Sequence, residues 1–217
     1  MSPTAEKPSL VYDLAIIGGG IAGAGIARDA ALRGIQTVLF EKNTFGSGTS
    51  SKSSKLIHGG IRYLEIAWDA LKKGRLDEAW KNFRFVFLAL KETHILAGIA
   101  PALVKPFSLL IPIYEKSGRK PFSVYMGGRL YSFMAFLSGA GASSFARILG
   151  KPELVLELVP GLKKEGLKGA IMIHDHWTHD LELVKTTLRS AEKSGATTFE
   201  HAEVTAYRWD PSKKVYE

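Results

Sequence analysis

The sequence predicts an α/β fold in which an opening βαβ unit is separated from its later elements by an inserted second region. Three observations carry this. The stretch Asp13–Lys42, DLAIIGGGIAGAGIARDAALRGIQTVLFEK, joins two short apolar runs through a glycine cluster and an alanine-rich segment. Strand-like runs without prolines return near Ala170 and Thr197. The residues between carry helical periodicity and prolines. The predicted division is 1–65 with 165–217 for the first part and 66–164 for the second.

Taken in order, Leu14–Ile17 form the first strand, and a helix follows the glycines to Leu32. Gly34 stops that helix, and Thr37–Phe40 form the second strand. Leu76, Trp80, Phe83, Phe87 and Leu90 recur at spacings of four and three, predicting one amphipathic helix from about Ala70 to Ala97. Pro101, Pro106 and Pro112 then punctuate an apolar segment that suits a sheet edge. A second apolar region runs from Phe122 to Leu137, and Glu153–Leu158 form a short helix before Pro160. Ala170–Ile173 make a strand, Asp180 caps a helix running to Ser194, and Gly195 lies past its end. Thr197–Thr205 predict another strand. Ala206–Trp209 and Val215–Glu217, joined by DPSKK, predict a hairpin whose second strand has barely begun.

Composition limits the partners. The 217 residues include no cysteine, which excludes disulfides, thiolate zinc sites and cysteine nucleophiles, and agrees with a reducing compartment. Lys and Arg number 29 against 21 Asp and Glu, a net charge of +8 that attracts nucleic acid, anionic lipid or a phosphorylated metabolite alike. The N-terminus lacks a secretory pattern. The longest uncharged stretch, Leu130–Ala146, is too short and too rich in small residues for a membrane span. These features predict a cytoplasmic protein, with peripheral contact at the inner face of the membrane as an alternative.

Gly18, Gly20 and Gly23 spell G-x-G-x-x-G at a strand-to-helix junction. The first glycine permits the tight turn and the second lets the backbone approach a pyrophosphate. The third lets helix and strand pack closely, with the anion on free N–H groups at the positive helix end. Glu41 ends the second strand, 23 positions after Gly18, where a carboxylate can accept hydrogen bonds from a ribose. Together these predict a Rossmann-like dinucleotide site. A glycine-rich structural turn is the bland alternative, and the motif leaves NAD and FAD both open.

Thr49–Glu65 reads TSSKSSKLIHGGIRYLE. Hydroxyls can orient phosphate oxygens without adding charge, and a glycine pair lets backbone approach a ring. With GGGIAGAGIARDAALRG and SSKLIHGGIRYLE both in place, the chain resembles the FAD-dependent glycerol-3-phosphate dehydrogenases. HDHWTHDLELV (His174–Val184) and PELVLELVPGLKKEGLKGA (Pro152–Ala170) extend the resemblance over nearly the whole chain. One departure is Ala22, where the family usually carries asparagine.

The resemblance implies FAD as cofactor, with Gly18, Gly20, Gly23, Glu41, Thr49, Ser50, Ser54, His58 and Val204 near it. It implies that Arg62 and Tyr63 face the phosphate of sn-glycerol 3-phosphate, a task suited to the planar fork of arginine. A solvated loop and a structural histidine are the competing readings of Arg62 and His58. The implied reaction is hydride transfer from C2 of glycerol 3-phosphate to flavin, giving dihydroxyacetone phosphate, with quinone or oxygen as final acceptor. A related amine or amino-acid oxidase, or a non-catalytic nucleotide-binding fragment, are the alternatives. Catalytic residues stay unassigned.

His174, His176, His179, Asp175 and Asp180 could suggest a metal, but a strand-to-helix corner explains them better. The aromatic, basic region Trp68–Lys91 reads as a core helix with a solvated basic face, peripheral membrane contact being the next reading. No nucleic-acid-binding motif is visible, and homo-oligomerisation is left open. In the family a later A-T-G-type strand end, substrate-clamping arginines and a glycine-rich cover follow. None precedes Glu217, so the expectation is a C-terminally incomplete portion of a larger flavoprotein.

Overall fold

The computed structural model describes residues 11–118, 120–140 and 145–216. In chain order the elements are β1 (Leu14–Ile17), α1 (Ile21–Leu32), β2 (Thr37–Phe40), β3 (Leu56–Ile57), α2 (Ile61–Lys72) and α3 (Leu76–Ile99). Then come β4 (Val104–Tyr114), α4 (Pro121–Ala135), β5 (Arg147–Leu149), α5 (Pro152–Leu158), β6 (Leu167–Thr178), α6 (Asp180–Lys193), β7 (Thr197–Phe199), β8 (Trp209–Asp210) and β9 (Val215–Tyr216). Contacts divide them into two units: the chain up to Ser54 with the described residues from His179 onward, and Lys55–Thr178.

The first unit is a parallel sheet in the order β1-β2-β7, with Ile16 opposite Leu39 and Leu39 opposite Thr198. Its core joins Ile16 and Leu39 to Ala24, Ala27 and Ala31 of α1 and to Val184, Leu188 and Ala191 of α6. Alanines on the inner face of α1 let that helix lie close to the sheet. The strand predicted over Thr197–Thr205 is only three residues long, and the chain runs on without strand pairing to the β8–β9 hairpin. Asp180 is the first residue of α6 instead of its cap. Its carboxylate accepts the Leu181 N–H at 2.9 Å and the Ser53 hydroxyl at 2.8 Å, so it still serves the helix start.

The second unit is built on β6, which has β3 and β5 along one side and β4 along the other, all antiparallel. Pro106 and Pro112 lie an even number of residues apart on β4, so their missing N–H groups face the same side. The ladder to β6 continues through both, which puts that side away from β6. The helices α2, α3 and α4 cover the sheet through Leu64, Val86, Leu90 and Tyr131 against Ile171 and Ile173. The single helix predicted over Ala70–Ala97 is two helices. Gly74, at φ +72°, breaks the run, and Arg75 precedes the next helix.

Candidate functional site

In the first unit the sequence motif becomes an anion cradle. Gly18 takes φ +107°, and its N–H donates to Phe40 O at 2.8 Å, tying the turn to β2. A Cβ on Gly23 would lie 2.0 Å from Gly18 O, so only glycine lets α1 start this close to β1. Among the described residues the N–H groups of Gly20, Ala22 and Gly23 have no partner. Three donors therefore stand free at the positive end of a helix, the arrangement a pyrophosphate requires.

Glu41 braces this turn. Its Oε2 accepts the Gly19 N–H at 2.7 Å and its Oε1 accepts the Asn43 N–H at 2.8 Å. The Asn43 and Gly19 amides hold the carboxyl below the usual carboxylate range, with burial opposing them weakly. The carboxylate is thus ionised and pre-oriented, and each oxygen keeps a further lone pair for a sugar hydroxyl. Ser50 lies at the same place: its Oγ accepts the Ile21 N–H at 3.0 Å, and a Cβ on Gly20 would lie 3.1 Å from that oxygen. Thr49 and Ser51 belong to a single 3-10 turn with Ser50. Thr49 and Ser54 are exposed, and Val204 is half-buried in the irregular segment after β7. The residues present fit a dinucleotide: a glycine cradle that side chains would fill, free amides, and a fixed carboxylate.

The boundary between the two units falls inside the predicted stretch, after Ser54. His58, Arg62 and Tyr63 accordingly belong to the second unit. There Gly60, at φ +74°, precedes α2, and its N–H donates to His58 Nδ1 at 3.0 Å. That bond makes Nδ1 the acceptor. The Ile61 and Arg62 amides have no partner, and Arg62 has no ion pair, among the described residues. Tyr63, 42% exposed, leans on Phe85 with ring centroids 4.6 Å apart. A guanidinium and two free amides at one helix start make a second anion-receptive position.

Three further residues meet in the second unit that the sequence did not bring together. Tyr131 on α4 donates to Asp175 Oδ1 on β6 at 2.7 Å and accepts the Gly59 N–H at 2.7 Å. Burial pushes the Asp175 carboxyl up to about 6, against the lowering effect of the Tyr131 bond, and burial raises Tyr131 as well. In the sequence Asp175 stood only within the histidine-rich corner and Gly59 only as half of the glycine pair. Among the described residues no group of His, Asp and Glu could hold a metal ion, and no helix is long and apolar enough to cross a membrane. A cleft of about 690 Å³ between residues 44–51 and α6, lined in part by Lys185 and Arg189, contains none of the predicted site residues.

Residues 13–217 match the family model described as FAD dependent oxidoreductase. The mitochondrial glycerol-3-phosphate dehydrogenase of Saccharomyces cerevisiae is 40% identical over 201 residues, covering 93% of this chain and 29% of that protein. An alpha-glycerophosphate oxidase of Streptococcus pneumoniae is 36% identical over 205 residues, covering 94% and 31% respectively. Among solved structures, the glycerol-3-phosphate dehydrogenase of Bacillus halodurans complexed with FAD aligns with a TM-score of 0.63 at 27% identity. It covers 96% of this chain and 32% of that one. The chain spans about a third of the length of these relatives.

Proposed function

The chain belongs to the FAD-dependent oxidoreductase family, and from that premise we propose that it carries the adenine-nucleotide half of an FAD site and part of a glycerol 3-phosphate site. The observation that carries this reading is the free-amide turn at Gly18–Gly23, braced by Glu41 and joined by Ser50. When bound, FAD supplies the acceptor for the two electrons that leave C2 of sn-glycerol 3-phosphate as it becomes dihydroxyacetone phosphate.

The chain's own residues have separate tasks in this reading. The amides of Gly20, Ala22 and Gly23 receive the pyrophosphate, and Glu41 receives the ribose. Thr49, Ser50, Ser54, His58 and Val204 complete the cofactor side. Arg62, with the Ile61 and Arg62 amides, receives the substrate phosphate, and Tyr63 forms a wall of that position. A planar guanidinium can donate twice to one phosphate, which fixes the orientation of the remainder of the substrate.

Quinone is the proposed electron acceptor, which calls for membrane contact. The α2–α3 corner supports it, with Trp68, Leu76 and Trp80 all more than half exposed beside Lys72, Lys73 and Arg75.

The test is to purify the 217-residue chain, supply FAD, and titrate the absorbance of the bound flavin with substrate. FAD retained after gel filtration, and bleached by glycerol 3-phosphate but not by glycine, supports the proposal. Bleaching by glycine instead selects the amine-oxidase reading. A chain that cannot be reconstituted with FAD, although folded, overturns the cofactor half of the proposal.

A further inference from the structure

The glycine pair that opens α2 is held from behind by groups that the proposed chemistry does not use. Tyr131 is 1% exposed and packs in a cluster with Leu90, Met134 and Ile173, and Asp175 is 4% exposed. Burying a phenol and a carboxyl there is unfavourable unless their hydrogen bonds are made. They are made in one direction: Gly59 N–H to Tyr131 Oη, and Tyr131 O–H to Asp175 Oδ1, each at 2.7 Å. The chain ends on a backbone amide, three residues before Arg62.

Gly59 and Gly60 have little freedom to respond by moving. A Cβ on Gly59 would lie 2.4 Å from Leu90 Cγ, so the backbone is pressed against α3. Gly60 sits in the left-handed region, and its N–H is taken by His58 Nδ1. Both glycine amides are therefore consumed within the unit, whereas those of Ile61 and Arg62 are free. A phenylalanine at 131 would fill nearly the same space, so packing alone does not explain the hydroxyl. Its stereochemical consequence is the fixed height of the Gly59 amide, and with it the direction in which α2 leaves the turn.

We propose that Tyr131 and Asp175 are positioning residues for the anion site at the start of α2, acting through the Gly59 amide on the placement of Arg62. This rests on the reading of Arg62 as the phosphate-binding residue. Neither Tyr131 nor Asp175 touches the ligand in this scheme.

The experiment compares the 217-residue chain with Tyr131→Phe and Asp175→Asn, using amide hydrogen exchange over residues 57–63 and NMR titration with glycerol 3-phosphate. In the unsubstituted chain the Gly59 amide must exchange as slowly as core amides of β6. Exchange at the rate of an exposed loop overturns the proposal before any variant is made. Tyr131→Phe is expected to speed Gly59 exchange at least tenfold and to weaken glycerol 3-phosphate binding about tenfold. Asp175→Asn keeps an oxygen acceptor for Tyr131 and is expected to stay within about twofold on both measures. If Tyr131→Phe leaves binding unchanged where the unsubstituted chain binds, the positioning role is overturned alone. If the unsubstituted chain shows no shift at Arg62 with glycerol 3-phosphate, the functional reading falls, and this proposal falls with it.

Discussion

At the scale of single residues, Asp175 should leave a signature in stability against pH. Its carboxyl is pushed up to about 6 by burial, from an ordinary value of 3.8. Between about pH 4 and pH 6 the folded chain therefore binds this proton while the unfolded chain has released it. Stability from this group is fully present below the unfolded value and falls as pH rises through that window, by about 3 kcal/mol when complete. Asparagine at 175 cannot titrate. The stability of the parent chain minus that of Asp175→Asn, from urea unfolding at a series of pH values, should decline by that order between pH 4 and pH 7. A flat difference would show that Asp175 ionises normally. Glu41 works in the opposite sense: its lowered value adds stability above the unfolded range, which is lost as the solution is acidified. Only the difference between parent and variant isolates Asp175.

At the scale of elements, α1 offers an internal control. Gly23 and Gly25 lie two positions apart on one helix, yet a Cβ at 23 would meet Gly18 O at 2.0 Å while one at 25 meets nothing within 4 Å. Gly23→Ala must push α1 off β1, and is expected to cost about 1–3 kcal/mol or more and to abolish FAD retention. Gly25→Ala should stabilise by about 0.5–1 kcal/mol through helix propensity, with FAD retention unchanged. Chemical denaturation and released-flavin measurement check both. Equal effects from the two substitutions would mean that the close approach of helix and strand is not what the third glycine of the motif provides.

The same element explains how much was legible beforehand. The β1, α1 and β2 boundaries follow from the sequence because every signal for them is local: two apolar runs, alanines and glycine stops. Glu41 was legible as a site residue because its distance from Gly18 along the chain is set by one helix and one strand. The break at Gly74 was not, since a glycine inside an amphipathic run declares its positive φ only once the following helix has somewhere else to pack. Nor were Tyr131 and Asp175. Gly59 and Tyr131 are 72 positions apart, and Tyr131 and Asp175 are 44 apart, so their meeting depends on the register of β6 and the placement of α4. Periodicity carries no such information.

At the scale of the whole molecule, the net charge of +8 predicts where the chain goes as well as what it binds. Within the second unit, Lys72, Lys73 and Arg75 follow Trp68 and Leu71 and precede Leu76 and Trp80. Trp80 is 69% exposed and Leu76 66%. The charges are only partly offset, by Asp69 at 3.6 Å from Lys72 and Glu78 at 2.8 Å from Arg75, and all are solvent-facing. Exposed pairs of this kind contribute little and leave the cations available to a surface. Tryptophan beside lysine suits a membrane interface, where the ring lies at headgroup depth and the ammonium meets lipid phosphate. Each cation near an anionic leaflet contributes about 1 kcal/mol, an effect confined to roughly a Debye length. The chain should therefore co-sediment with vesicles containing phosphatidylserine, less so as salt is raised, and scarcely with neutral phosphatidylcholine. Reversing all three charges (Lys72→Glu, Lys73→Glu, Arg75→Glu) should weaken binding by at least about 100-fold. Trp80→Ala should weaken it on both kinds of vesicle, since its share is apolar. Binding that ignores salt and the charge reversal would place the membrane contact elsewhere, and no binding at all would leave these tryptophans to a protein partner.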